Sequence, residues 1–264
     1  MTIIQAIILG IVQGITEFLP ISSSGHLIIL HQLFGIEKGA FTFDIVVHLG
    51  TLIAIIIYFR ADILAIIKNP FSKMTGLLIV GTIPVVVAGF FLRGVMDNFR
   101  TGIWLAAAFT LTGVILVVAD RITTTHKEEK DITWLDAFII GCFQALAIPP
   151  GISRSGTTIT GGLVRGLNRN VAARFSFLLA IIAIAGATVL EHMSEFVRGD
   201  GGNIAAIGIG PIIAGFIVAT VIGYLSIHWL LKLIAACKLK YFSFYLWGLA
   251  ALIVLDYFFV NRFF

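Results

Sequence analysis

Long apolar stretches separated by short polar segments run along the whole chain. Six of them lie at about 44–59, 76–93, 102–119, 172–190, 206–230 and 242–260. Each is close to the roughly 20 apolar residues that a helix needs to cross a bilayer. The alternating ten-residue segments typical of an outer-membrane β-barrel do not occur in the sequence. The pattern therefore predicts an all-α, polytopic membrane protein.

Two further apolar regions are interrupted midway by residues that break helices. The interruption in residues 3–34 reads ITEFLPISSSGH, and the one in residues 133–164 reads LAIPPGISRSGTT. Proline removes a backbone donor and clashes inside a helix, and glycine and serine favour turns. Because the arms on either side are too short to cross comfortably, we predict two re-entrant helix–loop–helix segments. Their loops are expected to lie inside the protein at membrane depth.

The two interrupted regions resemble each other in sequence. Residues 13–25 read QGITEFLPISSSG and residues 144–156 read QALAIPPGISRSG, at an offset of 131 residues. Three long apolar stretches follow each of them. We therefore predict a single membrane domain, 1–264, built from repeats at about 1–120 and 132–264. Since each half has three full crossings, the two halves are predicted to be inverted relative to each other.

The distribution of basic residues agrees with this topology. Loops 60–73, 121–131, 165–174 and 232–240 contain three Lys or Arg residues each, and the opposite side contains five in total. Cytoplasmic loops are enriched in Lys and Arg. Both termini are therefore expected to face outward, and the two broken segments to enter from opposite sides and meet near the middle. Only Arg154 belongs to neither set of loops.

Composition excludes the other broad classes of protein. Of the 264 residues, 59% are hydrophobic and 12% are charged, and the mean hydropathy is +1.04. Soluble domains contain about 45–50% apolar and about 25% charged residues, so a soluble or disordered chain is ruled out. The formal net charge of +4 comes from basic residues in short loops. It therefore indicates membrane topology and no nucleic-acid partner.

An acidic residue in the first broken segment is the most informative single position. Glu17 follows Gln13 by four residues, so the two side chains share one helical face. A carboxylate inside the membrane is costly and faces a cavity or a partner. The pair could supply oxygen ligands to Mg²⁺ or Ca²⁺, although one carboxylate and one amide form an incomplete site. A protonated, purely structural Glu17 is the alternative.

Both loops lead into half-helices whose N-termini can bind anions. Free backbone N–H groups and the positive end of the helix dipole favour phosphate there, and an arginine in the second loop adds a bidentate donor. We predict that the two loops together bind a phosphate or diphosphate, whereas simple capping by the serines is the alternative. The predicted substrate-binding residues are Gln13, Ser22, Ser24, Gly25, Ser153, Ser155, Gly156, Thr157 and Thr158, and the same loops contain Ser23, His26 and Arg154.

Several polar residues near these loops suggest proton transfer. His26 can act as a general acid or base near neutral pH. Ser23 and Ser24 are candidate nucleophiles if His26 lies within hydrogen-bond reach of them. Asp44 and His48, four residues apart at the start of the first long span, are candidates to line the entrance of the site.

Residues 13–27, QGITEFLPISSSGHL, and residues 150–159, PGISRSGTTI, resemble the two signature segments of the bacterial undecaprenyl-diphosphate phosphatases, also called bacitracin-resistance proteins. The resemblance extends along essentially the whole chain. It implies a hydrolase of the bacterial plasma membrane that converts undecaprenyl diphosphate to undecaprenyl phosphate and phosphate. It further implies recycling of this lipid carrier for peptidoglycan synthesis, bacitracin resistance, and a site open to the outer side.

The resemblance also implies roles for individual residues. The family's metal-binding motif corresponds to Gln13 and Glu17, and its serine, histidine and arginine correspond to Ser23, His26 and Arg154. Catalysis would then rest on Glu17, Ser23, His26 and Arg154, with a divalent cation, Mg²⁺ or Ca²⁺, as cofactor. Some members have Glu where this chain has Gln13, so a site with two carboxylates is not expected here.

Two other classes of function compete with a phosphatase. Inverted repeats with broken helices are common in transporters, so a flippase for a phospholipid head group is the main rival. A structural scaffold would leave Glu17, His26 and Arg154 unexplained. The sequence leaves open whether Ser23 or water attacks, which cation is used, and whether the protein forms a homodimer.

Overall fold

Eleven α-helices lie in the described part of the chain. The structure is a computed structural model. It describes residues 1–36, 39–92, 99, 101–123, 126–198, 207–235 and 238–260, with the backbone alone for 190–198 and 235. The first half contains α1 (Ile3–Thr16), α2 (Ser23–Phe34), α3 (Ala40–Tyr58), α4 (Arg60–Lys68), α5 (Lys73–Leu92) and α6 (Gly102–Arg121). The second half contains α7 (Trp134–Ala145), α8 (Arg154–Val164), α9 (Arg169–Arg198), α10 (Ile209–Ala235) and α11 (Lys240–Leu255).

Six of these helices are long and apolar enough to cross a membrane. Their candidate spans are Ala40–Tyr58, Lys73–Leu92, Gly102–Arg121, Arg169–Val189, Ile209–Ile234 and Lys240–Val260, and the last of these continues from α11 through a π-helical turn at Asp256–Val260. Most extend past the predicted stretches, because helical hydrogen bonding continues into polar ends that hydropathy does not mark. Residue 93, at the end of one predicted stretch, and residue 206, at the start of another, lie outside the described residues. Residues 207–208 are described and precede the start of α10. The prediction of an all-α, polytopic membrane protein is confirmed, and the described residues contain no β-strand.

Both interrupted regions are helix–loop–helix segments, as predicted. Residues 17–22 separate α1 from α2, and residues 146–153 separate α7 from α8. The first helix of each segment begins with the same device, a capping box in which a threonine and a residue three positions later satisfy each other's backbone amides. The boxes are Thr2 with Gln5 and Thr133 with Asp136. Their spacing again matches the offset between the two repeats.

Small residues allow the first helix of each segment to pack closely on a long helix. A Cβ on Gly10 or Gly14 of α1 would lie within 2.8–2.9 Å of the α10 backbone at Gly215 or Gly223. On α7, Gly141 contacts the α5 backbone at Gly81 in the same way. Glycine at such contacts brings helix backbones together within membranes. The first helix of each segment therefore packs on a long helix of the other half, α1 on α10 and α7 on α5.

Two basic residues of the predicted inner loops are paired with a buried carboxylate on α7. Asp136 is fully buried, and its carboxylate lies 2.9 Å from Lys127 Nζ and 2.7 Å from Arg165 Nε. The pair with Arg165 joins the start of α7 to the end of α8, and the pair with Lys127 joins α7 to the segment that precedes it. Five basic side chains predicted for the outer side, Lys38, Arg93, Arg100, Arg198 and Arg262, lie outside the described side chains. The orientation in the membrane and the inversion of the halves therefore stay predictions.

Candidate active site

Glu17 lies at the centre of a buried polar cluster where the first helix breaks. It follows the last residue of α1, only 7% of its surface is exposed, and its backbone N–H still donates to Gln13 O. Gln13 Nε2 donates to Glu17 Oε2 at 3.0 Å, which confirms that the two side chains share a face. Gln13 itself is fully buried.

The second broken segment contributes an arginine to the same carboxylate. Arg154 is the first residue of α8, and its Nη2 donates to Glu17 Oε1 at 2.6 Å. The Arg154 side chain is 16% exposed, and its Nη1 is buried without a hydrogen-bond partner in the described structure. Since every group bonded to the Glu17 oxygens is a donor, the surroundings favour the ionised carboxylate over a protonated acid.

Ser23 is the third partner of Glu17. It is the first residue of α2, and its hydroxyl donates to Glu17 Oε2 at 2.6 Å, the short distance typical of an O–H bond to a carboxylate. The sequence makes Ser23 a candidate nucleophile on the condition that His26 lies within hydrogen-bond reach of it. The geometry differs, because Glu17 accepts the proton of Ser23 and both ring nitrogens of His26 have other partners.

His26 is held between the two halves of the chain. Its Nδ1 lies 2.6 Å from Ser22 O and its Nε2 lies 2.7 Å from Tyr245 Oη on α11. The Tyr245 ring is nearly parallel to the imidazole, with centroids 5.7 Å apart, and Phe109 on α6 contacts it edge-on at 5.4 Å. Because a carbonyl oxygen only accepts, Nδ1 has the proton in the neutral ring and Nε2 accepts from Tyr245.

The N-termini of the two half-helices differ in their capping. In α8, the Ser153 hydroxyl accepts from Gly156 N at 3.1 Å, so simple capping describes this serine. In α2, Ser22 has a positive φ of 67°, which is rare for a residue other than glycine, and its side chain makes no capping bond. The first-turn amides of α2 therefore lack a side-chain cap, and an anion can take that place.

The two loops contact each other, and the remaining predicted residues support that contact. Ser155 donates to Leu19 O at 3.1 Å. A Cβ on Gly25 would lie 3.1 Å from Gly151 Cα. The other hydroxyls have partners inside the protein. Ser22 pairs with Ser24, Ser153 with Ser155, Thr157 and Thr158 with Arg154 O, and Thr158 also with Ser176, while Gly156 lies beside Pro20.

Sequence reasoning missed the role of two residues at this site. His48 was expected only at the entrance, but its Nε2 lies 3.6 Å from Glu17 Oε2. The spacing of Asp44 and His48 on one face of an apolar span was the signal for it. Tyr245 had no signal, because it lies in a segment with many aromatic residues. Its proximity to His26 arises from helices at opposite ends of the chain.

The residues around Glu17 fit a divalent cation that takes only a few of its ligands from the protein. Among the described residues, no group of three or more His, Cys, Asp and Glu side chains could hold a metal ion. Gln13 Oε1, however, is buried and has no hydrogen-bond partner there. A half-turn of the amide would add this oxygen to the carboxylate. Mg²⁺ is commonly held by one or two carboxylates together with phosphate oxygens of the substrate.

Comparison with known proteins identifies the family. The model of the bacitracin resistance protein BacA family matches residues 6–252. The chain belongs to this family. It is similar to the undecaprenyl-diphosphatase of Carboxydothermus hydrogenoformans, 46% identical over 95% of both chains. It is also similar to undecaprenyl-diphosphatase 4 of Bacillus cereus, 44% identical over 95% of this chain and 96% of that one.

A relative of lower identity also matches over nearly the whole length of both chains. The undecaprenyl-diphosphatase of Alkaliphilus metalliredigens is 38% identical over 97% of this chain and 98% of its own. The family suggested by the two signature segments is therefore confirmed. All four residues predicted as catalytic lie within the part of the chain that the BacA family model covers.

Proposed function

We propose that this BacA family member hydrolyses undecaprenyl diphosphate to undecaprenyl phosphate and inorganic phosphate. The observation that supports it most is the joint contact of Arg154 and Ser23 with Glu17 at the junction of two broken helices. A buried nucleophile, a carboxylate and a guanidinium are the groups that phosphoryl transfer needs. The names of the similar proteins supply the substrate.

The contacts of Ser23 indicate how the attack would proceed. Ser23 Oγ forms a bond to the terminal phosphorus. Its proton passes to the Glu17 carboxylate, which already accepts the hydrogen bond from this hydroxyl. The bond from this phosphorus to the bridging oxygen breaks, and undecaprenyl phosphate leaves with the bonding electrons. Water then cleaves the Ser23–phosphate bond and releases phosphate. Direct attack by water would use the same carboxylate as base and form no phosphoserine.

The other groups would bind and neutralise the phosphates. Arg154 Nη1 is buried and has no hydrogen-bond partner in the part of the chain that the structure describes, so it can donate to a phosphate oxygen while Nη2 stays on Glu17. The uncapped amides of α2 add further donors. His26 would transfer protons with a phosphate oxygen or the attacking water. A bound divalent cation would supply positive charge against the developing phosphate charge, held by Glu17 and Gln13 Oε1.

The membrane setting of the reaction is part of the same proposal. The isoprenoid tail would lie between helices in contact with lipid, and the loop with Ser23 would open to the outer side of the bacterial plasma membrane. The product would re-enter peptidoglycan synthesis as lipid carrier. Removal of the diphosphate form would also confer resistance to bacitracin. The predicted inversion of the halves, supported by the equivalent packing of α1 and α7, belongs to this proposal. A homodimer stays an open prediction.

Phosphate release by the purified protein in detergent tests the proposal. We expect the wild-type protein to release phosphate from undecaprenyl or farnesyl diphosphate, and a chelator to stop the reaction. No compartments exist in detergent, so a flippase, which the broken helices also suit, would release none. Glu17→Gln is the matched control, because it keeps the shape of the side chain and removes the charge. Mass spectrometry of Ser23 after rapid quenching distinguishes attack by serine from attack by water.

A further inference from the structure

His48 on α3 faces the carboxylate at the centre of the site. Its Nε2 lies 3.6 Å from Glu17 Oε2, and its side chain is 27% exposed. This distance is too long for a hydrogen bond. The two atoms are nevertheless close to the separation of two ligands on one ion, about 3 Å for bonds of roughly 2.1 Å at a right angle.

The other ring nitrogen determines which tautomer a neutral His48 ring adopts. Nδ1 lies 2.7 Å from Asp44 O, and because a carbonyl oxygen only accepts, Nδ1 donates a proton to it. In the neutral ring, Nε2 is therefore an acceptor that faces a carboxylate oxygen. Two facing acceptors need a positive group between them. Histidines that bind metals generally donate their other N–H to a carbonyl or carboxylate in this way.

A third unsatisfied acceptor belongs to the same group. Among the described residues, Gln13 Oε1 is buried and has no hydrogen-bond partner, although Gln13 Nε2 donates to Glu17 Oε2 at 3.0 Å. We propose that His48 Nε2 is a nitrogen ligand of the divalent cation that Glu17 and Gln13 bind. This inference rests on the cation of the proposed function and assigns His48 to it.

A nitrogen ligand changes which cations the site prefers. Imidazole favours ions such as Co²⁺, Ni²⁺ and Zn²⁺, whereas oxygen ligands alone favour Mg²⁺ and Ca²⁺. Because this chain has Gln13 and not a second carboxylate, position 13 offers only a neutral amide oxygen to the cation. His48 would supply a further, stronger ligand. We therefore expect this protein to select Co²⁺ over Ca²⁺ more strongly than a site of oxygen ligands does.

The competing explanation is that His48 is protonated and forms an ion pair with Glu17. The two explanations predict opposite effects of removing the imidazole. Loss of a ligand weakens binding of Co²⁺ and leaves Ca²⁺ binding less affected. Loss of a positive charge beside the site leaves the affinity of both cations unchanged or increases both alike. The ratio of the two affinities therefore distinguishes them.

Calorimetric titration of the full-length, chelator-treated protein in detergent provides this ratio. Co²⁺ and Ca²⁺ are titrated separately into the wild type, His48→Ala, His48→Gln and His228→Ala. His228, exposed on α10, is a histidine of the described chain outside the Glu17 cluster and serves as the control. We expect Co²⁺ to bind about 10–100-fold more weakly to His48→Ala, by analogy with the loss of groups around metal ligands. His48→Gln should lose Co²⁺ affinity and keep Ca²⁺ affinity, since its amide offers an oxygen.

The visible absorption of bound Co²⁺ gives a second readout that does not depend on activity. Its band should shift in both His48 variants and stay unchanged in His228→Ala. Equal affinities and an unchanged spectrum in either His48 variant would overturn the proposal, so a failure of one variant to fold leaves the other decisive. Phosphate release is measured on the same preparations. A wild type that hydrolyses the substrate but binds neither cation overturns the ligand role and leaves the phosphatase. Co²⁺ binding that depends on His48 without hydrolysis supports the ligand role and overturns the phosphatase.

Discussion

Arg154 Nη2 donates to Glu17 Oε1 across 2.6 Å, although the two residues are 137 positions apart in the chain. Each lies where a helix breaks, one at the end of α1 and the other at the start of α8. The pair therefore joins the two broken segments, and Ser23 binds the other oxygen of the same carboxylate. This contact has both a structural and a chemical role. Variants of Glu17 and Arg154 must therefore be measured for both stability and turnover.

Glu17→Gln should abolish turnover and also lower the Tm in detergent. The amide cannot act as a base toward the Ser23 hydroxyl or neutralise Arg154, and an unpaired buried charge costs about 3 kcal/mol or more. Addition of Arg154→Gln should restore much of the stability, because it removes the unpaired charge, but none of the activity. Thermal unfolding and phosphate release are measured on the single and double variants. A fully active Glu17→Gln protein would exclude the carboxylate from both metal binding and catalysis.

Arg154→Lys should keep the positive charge and still lose most of the rate. A guanidinium can donate to Glu17 and to phosphate from a rigid planar group, whereas an ammonium is a single flexible point of charge. A donor worth about 3 kcal/mol in the transition state corresponds to a loss on the order of 10²-fold in kcat. Steady-state kinetics provides the test, with Arg169→Lys as the control on α9. Wild-type kcat in Arg154→Lys would contradict a role in stabilising the transition state.

His26→Ala should reduce kcat while KM changes little. Transfer of a proton matters mainly in the transition state, and general acid–base catalysis contributes about 10²–10⁴-fold. The measurement is the dependence of rate on substrate concentration in detergent. An unchanged kcat with a raised KM would instead make His26 a residue that only binds substrate.

Tyr245→Phe should lower kcat by about tenfold, less than the loss of His26 itself. The variant keeps the aromatic ring parallel to the imidazole and removes the hydroxyl that lies 2.7 Å from His26 Nε2. The factor corresponds to a hydrogen bond worth about 1.4 kcal/mol, near the upper end for such bonds. Tyr241→Phe is the matched control, since Tyr241 lies on the same helix and is 60% exposed. Equal losses in both variants would show that the effect is not specific to His26.

Gly25→Ala should destabilise the contact between the two loops. The added Cβ would lie 2.5 Å from Phe109 Cζ and 3.1 Å from Gly151 Cα. Overpacking of this kind typically costs about 1–3 kcal/mol. The Tm in detergent is the measurement, and Phe109→Leu in the same protein should recover part of the loss. An unchanged Tm in Gly25→Ala would mean that the loops do not pack this tightly.

Some features of the site followed from sequence and others did not. The residues of the first loop were predictable, because a carboxylate and three serines interrupt an apolar run at Glu17 and Ser22–Ser24. The partner of Ser23 was not. His26 is three positions from Ser23 and was the expected base, but its nitrogens are bound by Ser22 O and Tyr245, which leaves the serine to Glu17.

The sequence by itself determined the helices and their interruptions, since hydropathy, proline and serine act over a few neighbouring positions. Even the pairing of Gln13 with Glu17 is local, because four residues make one helical turn. The tertiary structure decided which distant side chains meet. Whether Tyr245 reaches His26, or His48 faces Glu17, depends on the packing of α11 and α3 against the broken helices. That packing depends on many apolar contacts at once. It therefore cannot be predicted from the sequence around any one of these residues.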